Sequence, residues 1–301
     1  MAEIKLYDTH NGVEELRSSP ALLEKELQTL IEEHMPTFFG VRFLKSEYVM
    51  TGGRMDSIGI DENNCPVIFE YKRTSNENVI NQGLFYLDWL LEHKADFKLL
   101  VMDTLGKDTA DAIDWSAPCV ICIANQFSKY DIHAVDRMQA NIKLVAYRKY
   151  PNGMLLLEHL NSPAITKAVV PASLSTPTHS TKKSENSFHI KKLETLTSEL
   201  KNIYNYICSY IESLGDDVAQ TQLKQCLAYR KLRNFACIEI FNKHLKLFLT
   251  LNPSTVECIE GFSRDISNIG HHGTGDVEVI IKTDEDFERA KPLIERAYNE
   301  G

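Results

Sequence analysis

No apolar run in this chain of 301 residues approaches the roughly 18 that a membrane-spanning helix needs, so a membrane-embedded role is not expected. The opening residues, MAEIKLYDTH, lack the basic stretch followed by an apolar one that marks a signal peptide. The expected location is the cytoplasm. Cysteine is sparse and odd in number. The seven, at 65, 119, 122, 208, 226, 237 and 258, are scattered, which suits a reducing compartment better than a disulfide framework. Cys119 and Cys122 form a C-x-x-C inside the apolar run 118–124, but on a strand side chains three apart point to opposite faces and cannot share a metal. They read as small buried hydrophobes. Basic charge is also short: 33 Lys plus Arg against 42 Asp plus Glu leave a net charge of -9. That runs against the basic balance of many nucleic-acid binders without excluding one. Affinity for phosphates follows local patches, and a carboxylate cluster that binds cations is itself acidic.

What is present fits a soluble globular protein of two domains, since one domain usually takes roughly 100–200 residues. The stretch 171–187 is rich in Ser, Thr and Pro, has almost nothing to bury, and reads as a flexible linker. The expected division is a first domain over 1–165, a linker over 166–188 and a second domain over 189–301, with no internal repeat between the halves. In the first domain, Leu23, Leu27, Leu30 and Ile31 form one stripe of a helix over 22–34 closed by Pro36. Strands are expected at 43–49, 55–61 and 67–73, with 61–64 as the turn of the last pair. Thr74-Ser-Asn-Glu77 matches a capping box for a helix running to about His93. Further strands at 98–103, 120–124, 142–150 and 154–160, with short helices at 108–113 and 134–140, complete an α/β layer structure on a central mixed sheet. The second domain reads as a smaller α+β unit. It has a helix at 193–214, strands at 223–229, 235–241, 244–251 and 277–282, and a closing helix from about Thr283 to Tyr298.

Chemistry concentrates in the second and third strands. The side-chain period of two places Glu70 and Lys72 on one face of the strand 67–73, with Phe69 and Tyr71 on the other. Across the hairpin, Asp56 lies on the neighbouring strand, where cross-strand spacing lets two carboxylates approach one cation. Mg²⁺ prefers a few carboxylates plus waters and leaves positions open for phosphate oxygens, which fits phosphodiester hydrolysis with Lys72 orienting or helping to deprotonate a water. At 100° per residue, Glu26 falls on the inward flank of the first helix, unlike Glu24 and Glu32. Gln82 and Tyr86, four apart on the helix after Lys72, share a face and could line the same cleft. An isolated E-x-K would be an ordinary surface salt bridge. Here it stands in order with Asp56, a hairpin turn, a capping box and Q-x-x-x-Y.

Over roughly residues 20–95 these motifs resemble the PD-(D/E)xK nuclease superfamily, most closely its RecB-like and NucS-like branch. The resemblance rests on Glu26, on Gly53-Arg-Met-Asp56 for the usual G-R-x-D, on Ile68-Phe-Glu-Tyr-Lys72, and on Gln82-x-x-x-Tyr86. It implies a restriction-endonuclease-like α/β fold, with Mg²⁺ or Mn²⁺ held by Asp56, Glu70 and the backbone carbonyl of Tyr71. It also implies that Lys72 assists the nucleophilic water and that Glu26 supports the metal. Met55 replaces the family's proline. The expected activity is a metal-dependent endonuclease acting on DNA, in restriction, repair or antiviral defence, the last step by analogy. Its rivals are a ribonuclease, and a nucleic-acid-binding or sensor protein that kept the fold without turnover.

The second domain resembles a family of uncharacterised C-terminal domains found behind predicted nucleases, through residues 229–240 and 264–275. Lys224, Arg230, Lys231 and Arg233 form a basic cluster in sequence, and Arg264 with a Gly-rich His271-His272 loop could add phosphate contacts, as could Arg54 and Arg73 in the first domain. The alternative is a solvated charged edge. Adjacent histidines without Cys or Glu at ligand spacing rarely form a zinc site. A homodimer, and a protein partner or small-molecule signal at the C-terminal domain, are left open.

Overall fold

A computed structural model describes residues 4–73, 78–138, 140–160, 188–270 and 273–300. The capping box 74–77, the Ser/Thr/Pro-rich segment 171–187 and the His271-His272 pair lie outside the described residues. Contacts within the chain define two units. One comprises Met1–Ile60, Pro66–Ile113 and Pro118–Pro163, the other Asp61–Cys65, Asp114–Ala117 and Ala164–Gly301.

The first unit opens with a hairpin of β1 (Leu6–Asp8) and β2 (Glu14–Leu16), strands of three residues that are too short to show alternation in sequence. Two helices follow, α1 (Glu24–Glu33) and α2 (Met35–Phe39). Pro36 does not close the first helix as expected. It occupies the first turn of α2, where its missing N–H would have no partner in any case. Next come β3 (Val41–Met50), β4 (Gly53–Asp61), β5 (Pro66–Lys72), α3 (Asn78–Glu92), α4 (Lys94–Leu105), α5 (Lys107–Asp111), β6 (Cys119–Ala124), α6 (Lys129–Arg137), β7 (Ile142–Lys149) and β8 (Leu155–His159). The six strands from β3 to β8 form one sheet in chain order. β4 pairs antiparallel with β5, β5 with β6 and β6 with β7 run parallel, and β8 returns antiparallel, so the sheet is mixed. The strand expected at 98–103 is a correction. That run lies in α4, where the buried pair Phe97 and Val101 stands at helical spacing while Leu99 and Met102 are exposed.

The two faces of this sheet are covered by different helices. In the parallel register Ile68 lies beside Val120 and Glu70 beside Cys122, so these four side chains share a face. The Cys122 thiol donates to the Val79 carbonyl, and a Cβ on Gly83 would lie 2.8 Å from Val120 Cγ1, which presses α3 onto that face. On the opposite face, the Phe39 and Phe69 rings meet at 5.3 Å, and Ser57 Oγ donates to Glu32 on α1. The β4–β5 hairpin therefore runs between two helical layers. That arrangement buries one carboxylate without removing the other from solvent.

The second unit is built on an antiparallel sheet. Its elements are α7 (Phe188–Thr195), α8 (Ser198–Glu212), β9 (Ala219–Gln222), β10 (Cys226–Arg230), β11 (Asn234–Phe241), β12 (His244–Leu249), β13 (Ser263–Asp265), β14 (Val277–Ile281) and α9 (Asp284–Glu300). The strand order is β13-β14-β12-β11-β10-β9. The single helix expected at 193–214 is two, because Thr197 caps the second by accepting from the Leu200 N–H. The strand expected at 223–229 is likewise the end of a β9–β10 hairpin. One sheet face, with Ile238, Leu245, Leu247 and Val279, packs on Ile203, Ile207 and Ile294 of α8 and α9. The sequence expectation kept all of 1–165 together, whereas residues 61–65 and 114–117 belong by contact to this second unit. There Asp61 meets Arg230, Glu62 meets Arg233, Asn63 meets Asn234, and Asp114 accepts from the Lys224 N–H.

Candidate active site

Asp56 and Glu70 come together through the register of β4 on β5. Ser57 pairs with Phe69, so one step further the two acids face each other across the strands. Here side chains hold the backbone. The Tyr71 N–H donates to Asp56 Oδ2 at 3.0 Å, and the Asp56 N–H to Glu70 Oε1 at 3.4 Å, so each strand's amide is tied to the other strand's carboxylate. Glu70 is 2% exposed and Asp56 half-buried. Burial, and then the charge of Asp56, push the Glu70 carboxyl up to about 8. Burial also raises Asp56, against the opposing pull of the Tyr71 N–H and of Lys72. Two carboxyls in this position share a proton or require a cation.

Lys72 lies on the same strand face as Glu70, two residues on, with its ammonium 3.9 Å from Glu24 of α1. Glu24 also accepts from the Arg73 N–H at 3.3 Å. From α3, Tyr86 contributes a largely buried ring whose hydroxyl is raised by burial and then by Glu70, placing it within the field of the pair. Tyr86 packs on β4 because residue 53 is glycine: a Cβ there would lie 2.9 Å from Tyr86 Cε1. Gln82, one turn earlier, has a buried Oε1 with no hydrogen-bond partner among the described residues.

The remaining expected residues fall elsewhere. Glu26 is exposed and bonds the Leu23 N–H of its own helix, so it caps α1 and does not face the acids. The inward polar groups of α1 are instead Gln28, which donates to the Asp56 carbonyl at 2.7 Å, and Glu32, which accepts from Ser57. Their i,i+4 spacing beside Leu27 and Ile31 was the signal in sequence that could have found them. Arg54 is ion-paired with Glu47 at 2.6 Å, and the Arg73 side chain is exposed. The basic cluster does not assemble as one patch. Arg230 is 4% exposed and paired with Asp61, Arg233 pairs with Glu62, and Lys231 donates to the Tyr298 carbonyl, leaving Lys224 exposed. Arg264 forks onto Glu278 at 2.7 and 3.1 Å.

The donor set suits a hard divalent cation. Two carboxylates and the neighbouring Tyr71 carbonyl are all-oxygen ligands of the kind Mg²⁺ and Mn²⁺ take, and a cation would let both acids ionise. Among the described residues no third Asp, Glu, His or Cys side chain joins them in a cluster.

Residues 178–301 match a family described as a domain of unknown function (DUF5655). Over 99% of its length the chain is 28% identical to an uncharacterised protein of Haemophilus influenzae (strain ATCC 51907 / DSM 11121 / KW20 / Rd), covering 100% of that protein. Among solved structures it is similar to EndoMS in complex with double-stranded DNA, at 17% identity and a TM-score of 0.29 over 44% of this chain and 47% of that one. A repair endonuclease from Pyrococcus abyssi is similar at 16% identity and a TM-score of 0.29 over 48% of this chain and 60% of that one. The chain spans about half the length of these solved structures.

Proposed function

We propose that this protein is a metal-dependent endonuclease that hydrolyses phosphodiester bonds in DNA. The observation that carries this reading is the facing pair Asp56 and Glu70 with Lys72 on the same strand face as Glu70. Asp56, Glu70 and the Tyr71 carbonyl hold Mg²⁺ or Mn²⁺, which when bound supplies charge neutralisation at the phosphate and acidifies a water. Lys72 donates to the attacking water and orients it. Glu24 limits where that ammonium points, while Tyr86 and Gln82 position the strand to be cut. The reciprocal bonds between carboxylates and strand amides keep both acids in place before substrate arrives.

Labelled DNA and RNA panels incubated with Mg²⁺ or Mn²⁺ test the reading. Cleavage of DNA is expected for the native chain, with losses of about 10²–10³-fold in Asp56→Asn, Glu70→Gln and Lys72→Met, the scale seen when a group acting on transition-state charge is removed. Cleavage confined to RNA would make it a ribonuclease. Metal binding without turnover on either polymer would leave a binding module on this fold.

A further inference from the structure

We infer that the cleft between the β1–β2 hairpin and the end of β7 holds a phosphate of the DNA strand to one side of the cut, an inference that rests on the endonuclease reading. The sheet register gives its place. Lys72 lies beside Ala124 and Ala124 beside Ala146, so Arg148 stands on the same face as Glu70 and Lys72, two strands over and two residues further toward the same end of the sheet. At roughly 4.8 Å per strand and 3.3 Å per residue, that is about 12 Å from Lys72. A DNA strand advances about 3.4 Å per nucleotide along the helix axis, so the cleft falls about three or four nucleotides from the scissile phosphate. The segment after β2 forms the second wall, tied down where the Ser19 N–H donates to the Lys149 carbonyl at 2.7 Å.

Lys5, Arg17 and Arg148 line this cavity of about 370 Å³, with Glu15 the only acid in its lining among the described residues. Glu158 lies just outside, 3.5 Å from Arg148, so counting it three cations meet two carboxylates. The surplus is Arg17, which is exposed and makes no ion pair among the described residues. The two existing pairs are loose. Lys5 stands 3.8 Å from Glu15, and the Arg148 side chain makes no hydrogen bond to Glu158, whereas a charge-assisted hydrogen bond closes to about 2.7–2.9 Å. The Arg148 fork is therefore open to a phosphate, whose oxygens match the paired N–H groups of a guanidinium. β6 runs between Lys72 and Arg148, and beyond its end the first residue of α6 adds Lys129, exposed and likewise without an ion pair among the described residues. Its Nζ lies 5.2 Å from the ring of Tyr130, which is 73% exposed. The acids nearby are turned to other partners, Asp131 to the Ser128 N–H and Glu26 to the Leu23 N–H. Unpaired cations thus follow the edge of the sheet that carries the acids, in a chain whose net charge is -9.

Anisotropy of a labelled DNA duplex, read without divalent ions over a range of salt, tests this on the full chain. Arg17→Gln and Arg148→Gln are each expected to weaken binding roughly tenfold, the loss typical of one charged hydrogen bond, and to lower the salt slope by about one. Arg137→Gln is the control: Arg137 ends α6 at the opposite edge of the sheet, so its loss removes the same charge and should change neither quantity. Arg17 is exposed, so its variant folds even if Arg148→Gln does not. The inference is overturned if Arg17→Gln keeps the native affinity and slope, or if Arg137→Gln loses as much, which would make binding a matter of overall charge. The nuclease reading is tested apart, by Mg²⁺-dependent cleavage of the same duplex. Binding that depends on Arg17, without cleavage, keeps the cleft and removes the nuclease; cleavage by the native chain, with binding unchanged in Arg17→Gln, removes the cleft alone. A native chain that neither binds nor cuts DNA overturns both.

Discussion

Glu70 is where burial and chemistry pull against each other. Its carboxyl stays protonated in the folded, metal-free protein up to about pH 8, whereas an unfolded Glu ionises near 4.5. Between those values the native state holds a proton that the unfolded state has lost, so this residue makes stability fall as pH rises through that window. Glu70→Gln removes that term. Without metal, the variant's melting temperature relative to the native chain should be higher at pH 8 than at pH 5. An unchanged difference between the two pH values would mean that Glu70 ionises normally. The acids and the lysine were legible in sequence because a period of two and a hairpin are enough to bring Asp56, Glu70 and Lys72 together. Glu26 was misplaced for a physical reason: at the first turn of a helix, an acid can satisfy an open backbone N–H, and it turns there instead of inward. Glu24, read as solvent-facing, is exposed yet reaches Lys72 around the end of β5, a contact no helical wheel contains.

At the scale of elements, the β4–β5 hairpin is the part whose shape matters most. Gly59 in β4 leaves no room for a side chain: an added Cβ would lie 2.5 Å from Val41 Cγ1 and 2.8 Å from the Arg42 carbonyl oxygen. Gly59→Ala must push β4 from β3 and is expected to cost about 1–3 kcal/mol, as overpacking does, and to reduce cleavage by shifting Asp56. A denaturant midpoint equal to that of the native chain would show that the strands absorb the methyl group. Strand alternation made the acid-bearing hairpin readable in advance, whereas β6 and β7, buried on both faces, were legible as short apolar runs bounded by turn residues, as was most of the second sheet. The run 98–103 misled because short apolar stretches look alike in strands and helices until burial shows which spacing is used. The division of 193–214 into α7 and α8 turned on one threonine cap.

For the molecule as a whole, charge is disposed differently from its order in sequence. The cluster 224–233 looks like a phosphate-binding patch on paper, yet within the second unit Arg230 and Arg233 are spent on Asp61 and Glu62, partners some 170 positions away in sequence. Separations of that length are invisible to local patterning. Arg230→Ala leaves Asp61 buried without its cation and is expected to cost about 3–5 kcal/mol in unfolding free energy. Any nucleic-acid affinity should keep its salt dependence in that variant, because a buried guanidinium releases no phosphate counterions. A salt slope reduced by about one would place Arg230 on the phosphate backbone after all.

The central claim is that Asp56 and Glu70 share one divalent cation. Calorimetric titration of Mn²⁺ into the native chain, Asp56→Asn and Glu70→Gln, each first shown to be folded by circular dichroism, tests it directly. One site per chain is expected, with affinity at least roughly tenfold weaker in either variant, since each loses a charged oxygen ligand. Equal Mn²⁺ affinity in all three proteins would contradict the account.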